Sequence, residues 1–66
     1  MTPSDIQKLR HDLKNQLGIV VGFSEILLNE MDAADRHRPD VQEIHLAAMN
    51  ALDLLSRLTG AGSDPI

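Results

Sequence analysis

The sequence contains no cysteine, no tryptophan, no tyrosine and a single phenylalanine among its 66 residues. Without cysteine it has neither disulfides nor thiolate metal ligands, a composition that fits the cytoplasm. With so few aromatic side chains it lacks the stacking platforms that bind single-stranded nucleic acid. Its net charge of −4 opposes binding to a phosphate backbone. We therefore expect a cytoplasmic protein that does not bind nucleic acid.

Long apolar runs are also missing, since none approaches the ~18 residues that can span a bilayer. The N-terminal residues MTPSDIQKLRHDLK carry polar side chains throughout and do not resemble a signal peptide. We expect no membrane insertion by this segment. A single core in so short a chain seldom supplies more than ~3–5 kcal/mol of stability. Because disulfides are excluded, we expect the chain to be stabilised by burial against another chain.

Apolar residues make up 42% of the chain and are almost all aliphatic, which is typical of helices that pack on helices. In the first half they recur every seven positions and fall on one stripe at roughly 100° per residue. A repeat sustained over about four heptads indicates a supercoiled seam. Arg10 and Ser24 occupy two places in this repeat where an apolar residue is expected. The core stripe of helix 1 consists of Ile6, Leu9, Leu13, Leu17, Val20, Leu27 and Met31.

The start of helix 1 carries two alternative signals. Thr2 is a candidate N-cap before Pro3, which suits the first helical position. Ser4 with Gln7 three residues later is a candidate capping box. Either predicts a helix over about residues 3–31.

The second half predicts a turn over about residues 32–38 and a second helix over about residues 39–59. Pro39 suits the first position of that helix, and Gly60 suits its C-cap. A tail over residues 60–66 follows. The apolar stripe of helix 2 consists of Val41, Ile44, Ala48, Ala51 or Leu52, Leu55 and Leu58.

A short connection between two long helices makes them antiparallel neighbours. Further apolar residues, Ile19, Val21, Ile26 and Leu28, widen the apolar surface of helix 1. A single hairpin cannot cover all of this surface. We therefore predict one all-α domain, an antiparallel two-helix hairpin that forms a homodimer with four helices in a bundle.

His11 lies about 160° around helix 1 from the core stripe and is predicted to be exposed. An exposed histidine is most often an inert surface residue, but a neutral imidazole is also a nucleophile that can form a covalent intermediate. Gly18 and Gly22 share this outer face, although each costs roughly 1 kcal/mol relative to alanine in a helix. Either a partner docks closely against them, or they are simply tolerated. The predicted docking residues are Lys14, Gly18, Gly22 and Glu25.

The segment HDLKNQLGIVVGFSEILL, residues 11–28, resembles the H-box of sensor histidine kinases, within their dimerisation and histidine phosphotransfer domain. In that family a histidine is followed by an acid, a leucine, a basic residue, Asn or Thr, usually Pro, and Leu. The resemblance covers helix 1 and extends to helix 2 only in its apolar spacing. The matching residues are His11, Asp12, Leu13, Lys14, Asn15 and Leu17, then Val20, Gly22, Leu27 and Leu28.

The resemblance implies a role in two-component signal transduction. His11 would be the phospho-acceptor, exchanging its phosphoryl group with an aspartate of a response-regulator receiver domain. Asp12 would act as an acid or base, or orient the imidazole ring. Asn15 would orient water during hydrolysis of the partner's phospho-aspartate. Because side chains at adjacent helix positions diverge, spacing favours a contact of His11 with Asn15 over one with Asp12.

Two features depart from the family. Gln16 stands where the family usually has proline, so we expect helix 1 to run without the bend that proline imposes. The 66 residues also contain no ATP-binding domain and no glycine-rich phosphate cradle. The chain alone therefore binds no cofactor, and ATP with Mg²⁺ is implied only through a separate kinase domain, in the same chain or another.

The alternative function is a non-catalytic dimerisation or docking module that binds a receiver domain or a kinase as an inhibitor or scaffold. A purely structural hairpin would leave the HDLKN string and the two outer glycines without a reason. His37 and His45 have no suitably spaced partners for a metal site, so both are interpreted as solvated. Arg36 and Arg38 are interpreted as part of a solvated turn.

Overall fold

The computed structural model describes residues 1–63 of the chain and the side chains of residues 1–58. Two helices, α1 (Pro3–Glu30) and α2 (Arg38–Ser63), pack against each other, and no strand occurs within residues 1–63. The helices run antiparallel, because Arg38 contacts Leu28 at one end while residues near Arg10 lie opposite residues near Asp53 at the other. The predicted all-helical hairpin is confirmed.

Of the two signals at the start of α1, Thr2 followed by Pro3 is the one that the chain uses. The Thr2 hydroxyl accepts a hydrogen bond from the Asp5 backbone N–H at 3.2 Å, and the Asp5 carboxylate accepts one from the Thr2 backbone N–H at 3.1 Å. This reciprocal pair is a capping box, with Asp5 in place of the usual Glu or Gln. The predicted box between Ser4 and Gln7 is wrong.

The other helix ends lie close to their predicted positions, with one exception. α1 ends at Glu30, and the backbone N–H of Met31 donates to the Leu27 carbonyl. α2 begins one residue before Pro39 but continues through Gly60 to Ser63, so the predicted C-cap is wrong. Glycine only weakens a helix by about 1 kcal/mol and does not stop it. Residues 64–66 of the predicted tail lie outside the described residues.

Arg38 of α2 forms hydrogen bonds to the end of α1 at the turn. Its Nη1 donates hydrogen bonds to the carbonyls of Leu28, at 2.8 Å, and Met31, at 3.2 Å. The last turn of α1 contains no basic residue, so this cation of α2 is the one that complements its negative end. The interpretation of Arg38 as solvated is therefore wrong, whereas Arg36 is exposed as expected.

The contact between the helices is narrow. Ser24, 3% exposed, and Ala48, 5% exposed, are the only fully buried residues among those whose side chains are described. The half-buried residues are Arg10, Leu17, Val21, Gly22 and Leu28 on α1, Met31 at its C-cap, Asp35 in the turn, and Arg38, Val41, His45, Ala51, Leu52 and Leu55 on α2.

Most of the predicted core stripe of helix 1 lies outside this contact. Ile6, Leu9, Leu13, Val20 and Leu27 are between 37 and 54% exposed, and only Leu17 and Met31 of the stripe are half-buried. The side of α1 that faces α2 is instead the neighbouring row at Arg10, Leu17, Ser24 and Met31. This agrees with the expectation that a single hairpin cannot cover all of its apolar surface, because one neighbouring helix covers only one such row.

Some of the uncovered apolar residues of the two helices lie next to each other on one side of the hairpin. An apolar groove of about 360 Å³ runs between them and is lined by Leu13, Leu17, Ala51, Leu54, Leu55 and Leu58. Ile44 extends this row one heptad before Ala51 and is 52% exposed. We call this surface the open apolar face, and it consists of Ile6, Leu9, Leu13, Val20, Leu27, Ile44, Leu54 and Leu58. Within the described residues, neither helix is apolar over a length that could cross a bilayer.

Candidate functional site

His11 lies at the rim of a cleft on the other side of the hairpin. This His11 cleft has a volume of about 780 Å³ and shares only Leu55 with the apolar groove. Because both lie between the same two helices, they open to opposite sides of the pair. The His11 cleft is lined by Gln7, Arg10, His11 and Lys14 of α1 and by Met49, Leu52, Asp53, Leu55 and Ser56 of α2.

The imidazole of His11 is 72% exposed, and both of its polar contacts involve the same ring nitrogen. Nδ1 lies 3.5 Å from Nδ2 of Asn15 and 3.8 Å from Oδ1 of Asp12. The predicted proximity of Asn15 is confirmed. Asp12 also reaches this nitrogen, at a longer distance than Asn15, although it occupies the adjacent helix position. Nε2 has no hydrogen-bond partner among the described residues.

These contacts bear on which ring nitrogen carries the proton. A proton on Nδ1 faces the Asp12 carboxylate and leaves the lone pair on the outward Nε2. The Asn15 side chain supports the same tautomer when its amide oxygen, rather than its nitrogen, faces Nδ1, and the two orientations are nearly indistinguishable in shape. Both distances exceed those of strong hydrogen bonds. The Asp12 carboxylate therefore favours a nucleophilic Nε2, whereas the Asn15 amide, with Nδ2 facing Nδ1, favours the proton on Nε2.

The predicted docking residues form a ridge beside His11. Lys14, Gly18 and Glu25 are exposed, and Gly22 is half-buried. A Cβ atom added at either glycine would meet no other atom within 4 Å. Packing within the chain therefore does not require glycine at these positions.

Arg10 is a residue of this region that the sequence interpretation did not include. It is half-buried, and its Nε is buried without a hydrogen-bond partner among the described residues. The signal that could have identified it is its place in the heptad repeat, where an arginine replaces an apolar residue.

His45 of α2 is half-buried and bonds to Ser24 of α1. Its interpretation as solvated is therefore wrong. Its Nδ1 is 2.8 Å from the hydroxyl oxygen of Ser24, which itself donates to the Val21 carbonyl at 2.8 Å. Because that hydroxyl has one proton, its oxygen accepts from Nδ1–H of His45. His37 is exposed. No cluster of three potential metal ligands occurs among the described residues.

No protein-family model, curated protein or solved structure matches this chain. The resemblance to the H-box therefore depends on the residues of α1 alone, and the function below is argued from the site.

Proposed function

We propose that this chain is a histidine phosphotransfer and dimerisation module of two-component signalling. His11 accepts a phosphoryl group and exchanges it with an aspartate of a response-regulator receiver domain. The observation that carries the proposal is the exposed imidazole, 72% accessible, on the side of the hairpin opposite the open apolar face. Self-association and phosphotransfer therefore use different surfaces.

The chemistry starts from the tautomer that the Asp12 carboxylate favours, with the proton on Nδ1 and the lone pair on Nε2. The lone pair of Nε2 attacks the phosphorus of an aspartyl phosphate, the Nε2–P bond forms, and the P–O bond to the aspartate breaks. The aspartate leaves as a carboxylate. The ring acquires a positive charge at Nδ1–H, next to the Asp12 carboxylate 3.8 Å away. Asn15 is placed to orient a water molecule when a receiver's phospho-aspartate is hydrolysed instead.

The open apolar face supports the dimerisation part of the proposal. A second copy related by a two-fold axis would cover the same residues on both chains and complete a four-helix bundle. Each hairpin alone buries very little, since Ala48 is the only fully buried apolar residue among the described side chains. ATP and Mg²⁺ enter only through a separate kinase domain that phosphorylates His11.

The proposal is tested by incubating the chain with phosphorylated receiver domains or with candidate kinases. Phosphorylation is then measured by mass spectrometry at neutral or alkaline pH, because phosphohistidine hydrolyses in acid. We expect His11→Ala to abolish labelling while helix content and dimerisation stay unchanged. The matched control is His37→Ala, which removes another exposed histidine and keeps full labelling. Equal labelling of the His11→Ala variant would reject the acceptor assignment.

The open space beside both glycines favours a second candidate function, a non-catalytic docking module that inhibits or scaffolds a receiver or a kinase. For such a module, Gly22→Arg would block partner binding, whereas His11→Ala and Asn15→Ala would leave function unchanged. For the phosphotransfer module, all three substitutions reduce function.

A further inference from the structure

We propose that Arg10 and Lys14 form a phosphate-binding site in the His11 cleft, next to the acceptor imidazole. This inference deepens the proposed function. It rests on that function only for the source of the phosphate, which would be the phosphoryl group carried by His11. The site itself follows from the position and charge of these two side chains and from the buried Nε of Arg10, which has no hydrogen-bond partner among the described residues.

The first observation is the buried Nε of Arg10, which has no hydrogen-bond partner among the described residues. A buried donor left without an acceptor is unfavourable, and most such groups in folded proteins bind something. Arg10 also lines the His11 cleft, so an acceptor that enters the cleft can reach this side chain. The planar guanidinium matches the oxygen spacing of a phosphate.

The second observation is that neither Arg10 nor Lys14 forms an ion pair among the described residues. Arg10 and Lys14 lie four residues apart on one face of α1, a spacing at which like charges repel. Asp53 is the only acid that lines the cleft, and it already pairs with Arg57, with 3.0 Å between Nε and Oδ2. An anion between Arg10 and Lys14 would relieve the repulsion.

The third observation is the position of the acceptor. Gln7, Arg10, His11 and Lys14 all line the same cleft, at the i, i+3, i+4 and i+7 positions of one helix face. A phosphoryl group on Nε2 of His11 would therefore lie on the face that carries both cations. With a volume of about 780 Å³, the cleft has room for a phosphate and for part of the molecule that delivers it.

The test is a titration of the full chain with inorganic phosphate, followed by ¹⁵N NMR of the arginine Nε–H groups. We expect the Arg10 signal to move and saturate while the signals of Arg36 and Arg57 stay in place. Arg10→Gln should weaken phosphate binding at least about tenfold, the loss expected for a charge-assisted hydrogen bond. Arg10→Lys should give an intermediate affinity, because it keeps the charge and loses the planar fork.

The matched control is Arg36→Gln, which removes the same charge from an exposed position in the turn. It should change phosphate affinity by less than about twofold, because only charge screening is affected. Equal weakening by Arg36→Gln and Arg10→Gln, or parallel movement of all arginine signals, would overturn the site. Backbone amide spectra establish that each variant is folded.

A second arm separates this inference from the proposed function. Phosphoramidate is added as the phosphoryl donor, so that its N–P bond breaks, ammonia leaves and a bond from phosphorus to Nε2 of His11 forms. We expect the Arg10 signal to move on phosphorylation and then to respond no further to free phosphate. If free phosphate binds at Arg10 but His11 is never phosphorylated, the site stands and the proposed function fails. If His11 is phosphorylated and the Arg10 signal does not move, the site is wrong and the proposed function stands.

Discussion

The two ends of the hairpin are built differently. At the turn end, Arg38 bonds to two carbonyls of α1, and the Ser24–His45 hydrogen bond links the helices one turn further on. At the open end, the His11 cleft and the apolar groove are both lined by residues 7–17 of α1 and residues 49–58 of α2. The chain thus joins its helices at one end and leaves space on both sides of them at the other.

The two half-buried arginines illustrate this difference. Arg38 at the turn end has its hydrogen bonds within the chain, whereas the buried Nε of Arg10 at the open end has none among the described residues. A buried polar group with intrachain partners stabilises the fold, whereas one without them is unfavourable. The open end is therefore the part of the molecule that depends on what binds to it, and His11 belongs to that end.

The largest expected effect tests whether a second copy supports the open end. Leu13→Glu places a carboxylate in the apolar groove, where a partner chain would bury it. An unpaired buried charge destabilises by about 3–5 kcal/mol, so we expect the dimer to dissociate at micromolar concentration and helix content to fall. Sedimentation equilibrium and circular dichroism measure the two effects.

The control for Leu13→Glu is Gln42→Glu, which adds the same charge at an exposed position of α2 outside the open apolar face. It should leave both the dimer and the helix content unchanged. A Leu13→Glu variant that sediments like the wild-type chain would show that this face is not the dimer interface.

A smaller effect is expected from removing each arginine in turn. Arg38→Met removes two hydrogen bonds and a cation from the end of α1, and we expect unfolding free energy to fall by about 2 kcal/mol. Arg10→Met should lower it by less than about 0.5 kcal/mol or raise it, because it removes an unpartnered buried donor and a like-charge repulsion. Urea unfolding at one fixed protein concentration measures both. Equal losses of unfolding free energy in the two variants would show that the two arginines do not differ in their contribution to stability.

The heptad repeat shows how much of this could be predicted from the sequence. The period predicted the helices, and the N-cap residues predicted where α1 begins. The period could not predict which of two adjacent rows on α1 faces α2, since apolar residues occur in both. The informative residues were Arg10 and Ser24, which mark the row that α2 covers. At Gly60, local composition predicted an end that the helix does not have.

The site was predictable to a similar extent. The exposure of His11 and its proximity to Asn15 follow from helical spacing. The contact of Asp12 with the same ring nitrogen does not, because it depends on side-chain rotamers and not on the positions of the helical residues. The His11 cleft was also not predictable, since it depends on which residues of α2 lie opposite residues 7–14 of α1.

A stabilising effect is expected at Gly18, between the two ends. Gly18→Ala introduces a Cβ that meets no atom within 4 Å, so only the helix propensity changes, and stability should rise by about 1 kcal/mol. If the ridge docks a receiver domain, the same variant should bind that domain more weakly. Thermal unfolding and a binding titration measure the two effects. A more stable variant with unchanged receiver binding would identify Gly18 as merely tolerated.

The smallest expected effect concerns the capping box at the open end. The backbone N–H of Thr2, and then its hydroxyl, donate hydrogen bonds to Asp5 and hold the pKa of that carboxyl below its ordinary value of 3.8. Because the folded pKa is lower than the unfolded one, the stabilisation is fully present above 3.8 and is lost as pH falls through the folded pKa. Asp5→Asn should therefore be slightly less stable than the wild-type chain at neutral pH, and the difference should shrink below pH 3.8. Arg38 at the turn end keeps its charge throughout this range, so Arg38→Met should show no such convergence. Unfolding measured against pH for both variants would show whether the acid sensitivity is confined to the open end.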